Sequence, residues 1–97
     1  MGSMKKWSST TIVTQSPGNI VSDMAGDKVM MSIENSKYYN LGEIGGYIWD
    51  LIKLPVLMEE VIARLTAEYE ISKQECELQV FAFMESLANE GLVQIKG

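Results

Sequence analysis

The chain has 97 residues, 46% of them apolar, and a net charge of −5, which suits one compact domain with a modest core. It contains no histidine and a single cysteine, which excludes a Ser-His-Asp or Cys-His catalytic site, a His-containing zinc site and an internal disulfide. No apolar run reaches membrane-spanning length and no secretory signal is visible, so a reducing, cytoplasmic setting without membrane contact is expected.

Met1-Gly2-Ser3 reads as a tag remnant ahead of Met4, and residues 5–10 read as a polar, frayed arm. Residues 11–97 are expected to hold the folded domain. Thr11-Ile12-Val13-Thr14 is β-branched and ends at the turn chemistry of Ser16-Pro17-Gly18-Asn19. Ile20 to Met24 is a weaker strand candidate, followed by a turn at Ala25-Gly26-Asp27. Lys28 to Ile33 alternates imperfectly, with Val29, Met31 and Ile33 on the apolar face and Met30 interrupting the polar one. After the polar turn Glu34-Asn35-Ser36-Lys37, Tyr38-Tyr39-Asn40-Leu41 is the last strand of this half. Period 2 sets Tyr39 and Leu41 on the core side.

Beyond Gly42 the apolar period becomes helical. Ile44, Ile48, Leu51 and Ile52 mark one face of a first helix, with Gly42 as its expected N-cap and Trp49 reading as core rather than ligand contact. Pro55 separates a second helix, on which Met58, Val61, Ile62, Leu65 and Tyr69 recur at helical spacing. Ser72 with Glu75 forms a capping-box pattern opening a third helix, whose stripe is Cys76, Val80, Phe83, Met84 and Leu87. Gly91 is placed as a left-handed C-cap, and Leu92 to Ile95 is a short, strand-like tail. The expected fold is therefore α+β and winged-helix-like: an N-terminal three-stranded antiparallel sheet followed by three α-helices.

Charge divides unevenly. Up to Leu41 four lysines face three carboxylates, a net +1; beyond it four cations face ten carboxylates, a net −6. The third helix offers Lys73 alone against Glu75, Glu77, Glu85 and Glu90, a poor surface for nucleic-acid phosphates. No nucleophile–base pair, phosphate-cradling loop or EF-hand spacing is present, so no catalytic residue, metal or cofactor is expected.

From about Asp23 to Ile95 the chain resembles the PqqD-like family of precursor-peptide recognition elements. The resemblance is carried by Tyr38-Tyr39-Asn40-Leu41-Gly42-Glu43-Ile44-Gly45-Gly46-Tyr47-Ile48-Trp49-Asp50-Leu51, then by Glu59-Glu60-Val61-Ile62-Ala63-Arg64-Leu65 with Glu68-Tyr69, then by Val80, Phe83, Met84 and Leu87 with Gly91-Leu92. Three positions depart from the family pattern: Gly42 for Asn, Leu57 for a capping Thr, and Gln79 for Asp. The stretches Gly26 to Ser32 and Lys37 to Gly42 look most like the leader-binding members of lasso-peptide biosynthesis. What that implies is a precursor leader peptide as ligand, with a cysteine-protease subunit and an ATP-dependent lasso cyclase as partners.

The resemblance also implies that the last strand is the binding edge and the third helix the facing wall. On that reading Lys37, Tyr38, Tyr39, Asn40 and Leu41 form the edge. A groove is expected between Tyr38, Cys76, Gln79, Val80 and Phe83. Val80 and Phe83 read equally as core and as groove wall, and Cys76 reads as a buried, inert thiol. The alternatives are a chaperone presenting a precursor to a radical-SAM enzyme, a winged-helix DNA-binding regulator, and a passive subunit that reads no peptide.

Overall fold

The computed structural model describes residue 8 and residues 10–96; the expected tag remnant and most of the expected N-terminal arm lie outside the described residues. Strand β1 (Ile12–Gln15) is flanked by two short partners, β5 (Val56–Leu57) and β6 (Val93–Lys96). Both pair antiparallel to it: Val13 faces Val56 on one side and Ile95 on the other. The strand-like tail therefore pairs with the first strand. β1 thus joins segments from the middle and end of the chain in a small sheet of its own, and the expected N-terminal three-stranded antiparallel sheet is formed by the next three strands.

The three strands of the second sheet are β2 (Asn19–Met24), β3 (Asp27–Ser32) and β4 (Lys37–Leu41), in the order β2-β3-β4 and antiparallel throughout. Ala25 and Gly26 close the first hairpin with φ of +56° and +90°, the twist-compatible pair that a two-residue hairpin loop requires. The buried face of β3 is the reverse of the one expected. Met30 is fully buried and Ser32 nearly so, whereas Ile33 is 58% exposed. Ser32 is accommodated because its Oγ accepts the Asn35 N–H at 3.1 Å.

Three helices cover these sheets: α1 (Gly42–Leu51), α2 (Met58–Glu68) and α3 (Lys73–Asn89). Gly42 is the first helical residue rather than the cap, with φ +75°. Asn40 Oδ1 accepts its N–H at 2.9 Å and so shapes the strand-to-helix corner. The C-terminal carbonyls of α1 are bonded from β1, with the Gln15 Nε2 donating to Trp49 at 2.7 Å and the Thr14 hydroxyl to Ile52 at 3.2 Å. Helix α3 starts as expected, the Glu75 N–H donating to Ser72 Oγ at 3.2 Å. It ends in a Schellman motif: Gly91 at φ +76° donates to Ala88 O, and Leu92 N–H to Leu87 O.

The core gathers Met30 from β3, Ile48, Trp49 and Ile52 from the α1 end, Met58, Val61, Ile62 and Leu65 from α2, and Cys76, Val80, Met84 and Leu87 from α3. Trp49 is core, as expected. Lys28 locks β3 onto α1: its Nζ lies 3.2 Å from Asp50 and 3.3 Å from Asp23, with the stem laid across Gly46.

Candidate functional site

Where α1, α2, α3 and the end of β4 converge, the apolar faces do not close completely. They leave a cavity of about 180 Å³, open on one side. Leu41 contributes from β4, Ile44, Gly45 and Ile48 from α1, Leu65 from α2, Tyr69 and Ile71 from the following loop, and Cys76, Gln79, Val80 and Phe83 from α3. A dry apolar cavity of roughly 150 Å³ accepts a benzene ring, so this one has room for one aromatic or branched side chain. Its polar groups are few: the Gln79 amide, the Tyr69 hydroxyl and the Cys76 thiol.

Helical spacing explains the α3 wall. Cys76, Val80 and Phe83 fall on one stripe, and the first two are almost completely buried while Phe83 is half-buried. Val80 is core and also lines the cavity, and the half-buried Phe83 lines it too. Gln79 lies on the exposed shoulder, its Nε2 donating to Glu75 Oε2 at 3.3 Å. Tyr69 is held by an edge-on contact with Tyr47, the ring centroids 5.7 Å apart at 84°. Burial raises the Tyr69 phenol above its ordinary pKa, helped by the carboxylates of Glu43 and Glu68. Burial likewise pushes up the Cys76 thiol, with Glu77 adding to the effect, so the sulfur stays protonated near neutrality and is a weak nucleophile.

Beside this cavity runs β4. It pairs with β3 on one side, and its other edge has no strand partner among the described residues. The alternation expected from sequence holds, with Tyr39 half-buried beneath the sheet and Tyr38 75% exposed above it. Tyr38 therefore lines no part of the cavity. It stands on the outer face in one row with Met31 and Ile20 of the neighbouring strands, apart from the cavity that was expected to include it. Lys37 and Asn40 are exposed, and Leu41 alone of the strand residues reaches the cavity.

Six cavity residues were not anticipated: Ile44, Gly45, Ile48, Leu65, Tyr69 and Ile71. Ile44 carried the clearest signal, an apolar residue in the first turn of a helix, where it remains 41% exposed. Helical period alone does not separate such a residue from the core. Among the described residues no cluster of three or more potential metal ligands occurs, and no helix is long and apolar enough to cross a membrane.

The family model described as Coenzyme PQQ synthesis protein D (PqqD) matches residues 27–93, which include the β3–β4 edge and all three helices. No curated protein matches the sequence. Among solved structures, the fold is similar to that of TbiB1 in complex with the TbiA(beta) leader peptide, with a TM-score of 0.75 at 23% identity over 84% of this chain and 94% of that one. A lasso peptide synthetase B1 complexed with the leader peptide gives a TM-score of 0.68 at 20% identity, over 84% of this chain and 96% of the other.

Proposed function

Because the chain belongs to the PqqD family, we propose that it binds the leader segment of a ribosomally made precursor peptide by strand addition. On this reading it delivers the bound leader to a cysteine-protease subunit and an ATP-dependent cyclase of lasso-peptide biosynthesis, in the cytoplasm. The observation that carries the reading is the open outer edge of β4 running beside an apolar cavity. An extended peptide added to such an edge gains main-chain hydrogen bonds, while a neighbouring pocket selects among its side chains. The chain's own tail does not compete for that edge, because β6 pairs with β1 in the other sheet. The two leader-bound proteins of similar fold support the same assignment.

In this mode Lys37, Tyr38, Tyr39 and Asn40 act through backbone atoms, and Leu41, Cys76, Gln79, Val80 and Phe83 meet one inserted side chain. A disordered leader loses entropy on binding, so a single well-buried anchor must supply much of the affinity. The acidic flank of α3 argues against the DNA-binding alternative.

The test is hydrogen exchange with a synthetic leader from the precursor encoded beside this chain. Protection is expected in both residues 37–41 and residues 76–83. Protection confined to α2, or a leader that leaves every amide unchanged, refutes the placement.

A further inference from the structure

Glu90 is the C-cap of α3, the end of a helix where a carboxylate is electrostatically disfavoured. It is nonetheless closely engaged. The Tyr39 hydroxyl donates to Glu90 Oε1 at 2.8 Å, and the Asn35 Nδ2 donates both to the Glu90 carbonyl at 2.9 Å and to the Tyr39 hydroxyl at 3.1 Å. Lys37 Nζ stands 3.8 Å from the same carboxylate, but the pair is largely solvent-exposed and weak. The hydroxyl and amide bonds are shorter and better directed, although the two that reach Glu90 are themselves solvent-exposed and only the Asn35–Tyr39 bond is partly buried. They join the turn before β4 to the backbone carbonyl of the α3 C-cap, and the inward face of β4 to that residue's carboxylate.

The turn is itself constrained. Ser36 has φ +55°, a conformation seldom adopted by a residue with a side chain, and Ser32 holds Asn35 from within β3. At the opposite end of β4, Leu41 and Phe83 converge on Gly45. The strand is thus tied to α3 at one end by polar bonds and to α1 and α3 at the other by packing, with its outer edge left between the two ties.

We infer that the Asn35–Tyr39–Glu90 cluster is a latch that holds the β4 edge at the separation from α3 that an added strand requires. Tyr39 is then a positioning residue acting through its side chain, in addition to its backbone part in strand pairing. The inference rests on the leader-binding reading. It goes beyond it by making affinity depend on three side chains that need not touch the peptide. Loss of the latch lets β4 sample positions unable to pair, which lowers the competent fraction and the apparent affinity in proportion.

The test uses the full chain and a fluorescein-labelled synthetic leader from the adjacent precursor gene, with amide exchange of residues 37–41 measured in the absence of peptide. Tyr39→Phe and Glu90→Ala are expected to raise the dissociation constant about three- to tenfold and to speed that exchange by a similar factor, the scale of one net hydrogen bond. Glu90→Gln keeps an acceptor for Tyr39 and should bind within about twofold of the parent. Thr14→Val removes a comparable bond in the other sheet and should lower the melting temperature without changing leader affinity. Parental exchange and affinity in folded Tyr39→Phe, or an equal affinity loss in Thr14→Val, overturns the latch. Should the parent bind no leader, the leader reading fails, and the latch is judged by β4 exchange alone.

Discussion

Substitution of the paired glycines of α1 separates packing from helix propensity. A Cβ built at Gly46 would lie 2.7 Å from the Cβ of Lys28 and 3.2 Å from its Cε. The first of these atoms is fixed to the β3 backbone, and the ammonium group beyond it is held by Asp50 and Asp23. The Cβ cannot swing aside, so Gly46→Ala must push α1 away from the sheet. Overpacking of this kind costs roughly 1–3 kcal/mol. The alanine recovers about 1 kcal/mol through helix propensity. At the middle of that range the net loss is about 1 kcal/mol, which corresponds to a fall in melting temperature of about 4–8 °C for a domain of this size. At Gly45 the close neighbours are the Cζ and Cε1 atoms at the far end of the Phe83 ring, at 3.1 and 3.2 Å, with Leu41 Cβ at 3.3 Å. That ring can turn toward the cavity. Gly45→Ala should therefore melt close to the parent while narrowing the pocket and weakening leader binding. Thermal and urea unfolding by circular dichroism measure both variants. A Gly46→Ala protein that melts at or above the parent would show that helix propensity outweighs the α1–β3 contact and would refute the reasoning.

Three other outcomes follow from the same geometry. Phe83→Ala removes a half-buried ring, so its stability cost should be roughly half that of a buried phenylalanine, about 2 kcal/mol, while calorimetric leader affinity drops about tenfold or more. Val80→Ala should fall mainly on stability, and parental affinity in folded Phe83→Ala would remove the ring from the site. Both Cys76 and Lys28 have raised pKa values, the first chiefly by burial and the second chiefly by its hydrogen bond to Asp50. Their contributions are intact below the ordinary values of 9.0 and 10.5 and are lost as pH rises beyond them. The urea midpoint should thus be insensitive to these groups from pH 7 to 8 and decline above about 9, less steeply in Cys76→Ala; an identical decline in that variant would contradict the assignment. Gly91→Ala meets no steric neighbour but must hold φ +76°, so a loss of about 1–2 kcal/mol is expected in urea titrations, with Gly91→Asn losing less.

The features legible in sequence were those that local chemistry determines. Ser72 with Glu75, Gly91, the break at Pro55 and the buried stripes of α2 and α3 each follow from interactions within a few residues. The sheet partition does not. Ile12 finds Leu57 and Lys96 as partners, and β5 is two residues long, too short to show a period. In β3, Val29, Met30 and Met31 are successive apolar residues, so alternation could not decide which face was inward. The buried Ser32, satisfied by Asn35, reversed the apparent pattern. Tyr38 illustrates a conflict present in the sequence itself. If Tyr39 and Leu41 face inward, period 2 sends Tyr38 outward, away from the cavity that Leu41 lines. The α3 wall of the cavity was legible because one helix face supplies it. Ile44, Tyr69 and Ile71 were not, because their convergence depends on how α1 and the α2–α3 connection pack.

On the proposed leader-binding reading, the arrangement divides recognition between two kinds of contact. Strand pairing uses groups that every residue carries, so it supplies binding with little selection. Selection must come from side chains, and the cavity has room for one. One methylene more or less in an apolar pocket discriminates by only about 1–3 kcal/mol, too little to define a single leader. The exposed shoulder of α3 can supply additional selectivity on this reading, because Gln79, which lines the cavity, donates there to Glu75. The sequence resemblance implies Asp where Gln79 stands, so on this reading the shoulder presents one carboxylate, Glu75, where an Asp at that position would add a second and repel acidic leader residues more strongly. Discrimination at that position should consequently be electrostatic in origin. Gln79→Asp should shift the preference toward basic leader residues beside the anchor, and the shift should shrink with added salt. A salt-independent shift would instead place the selection inside the cavity.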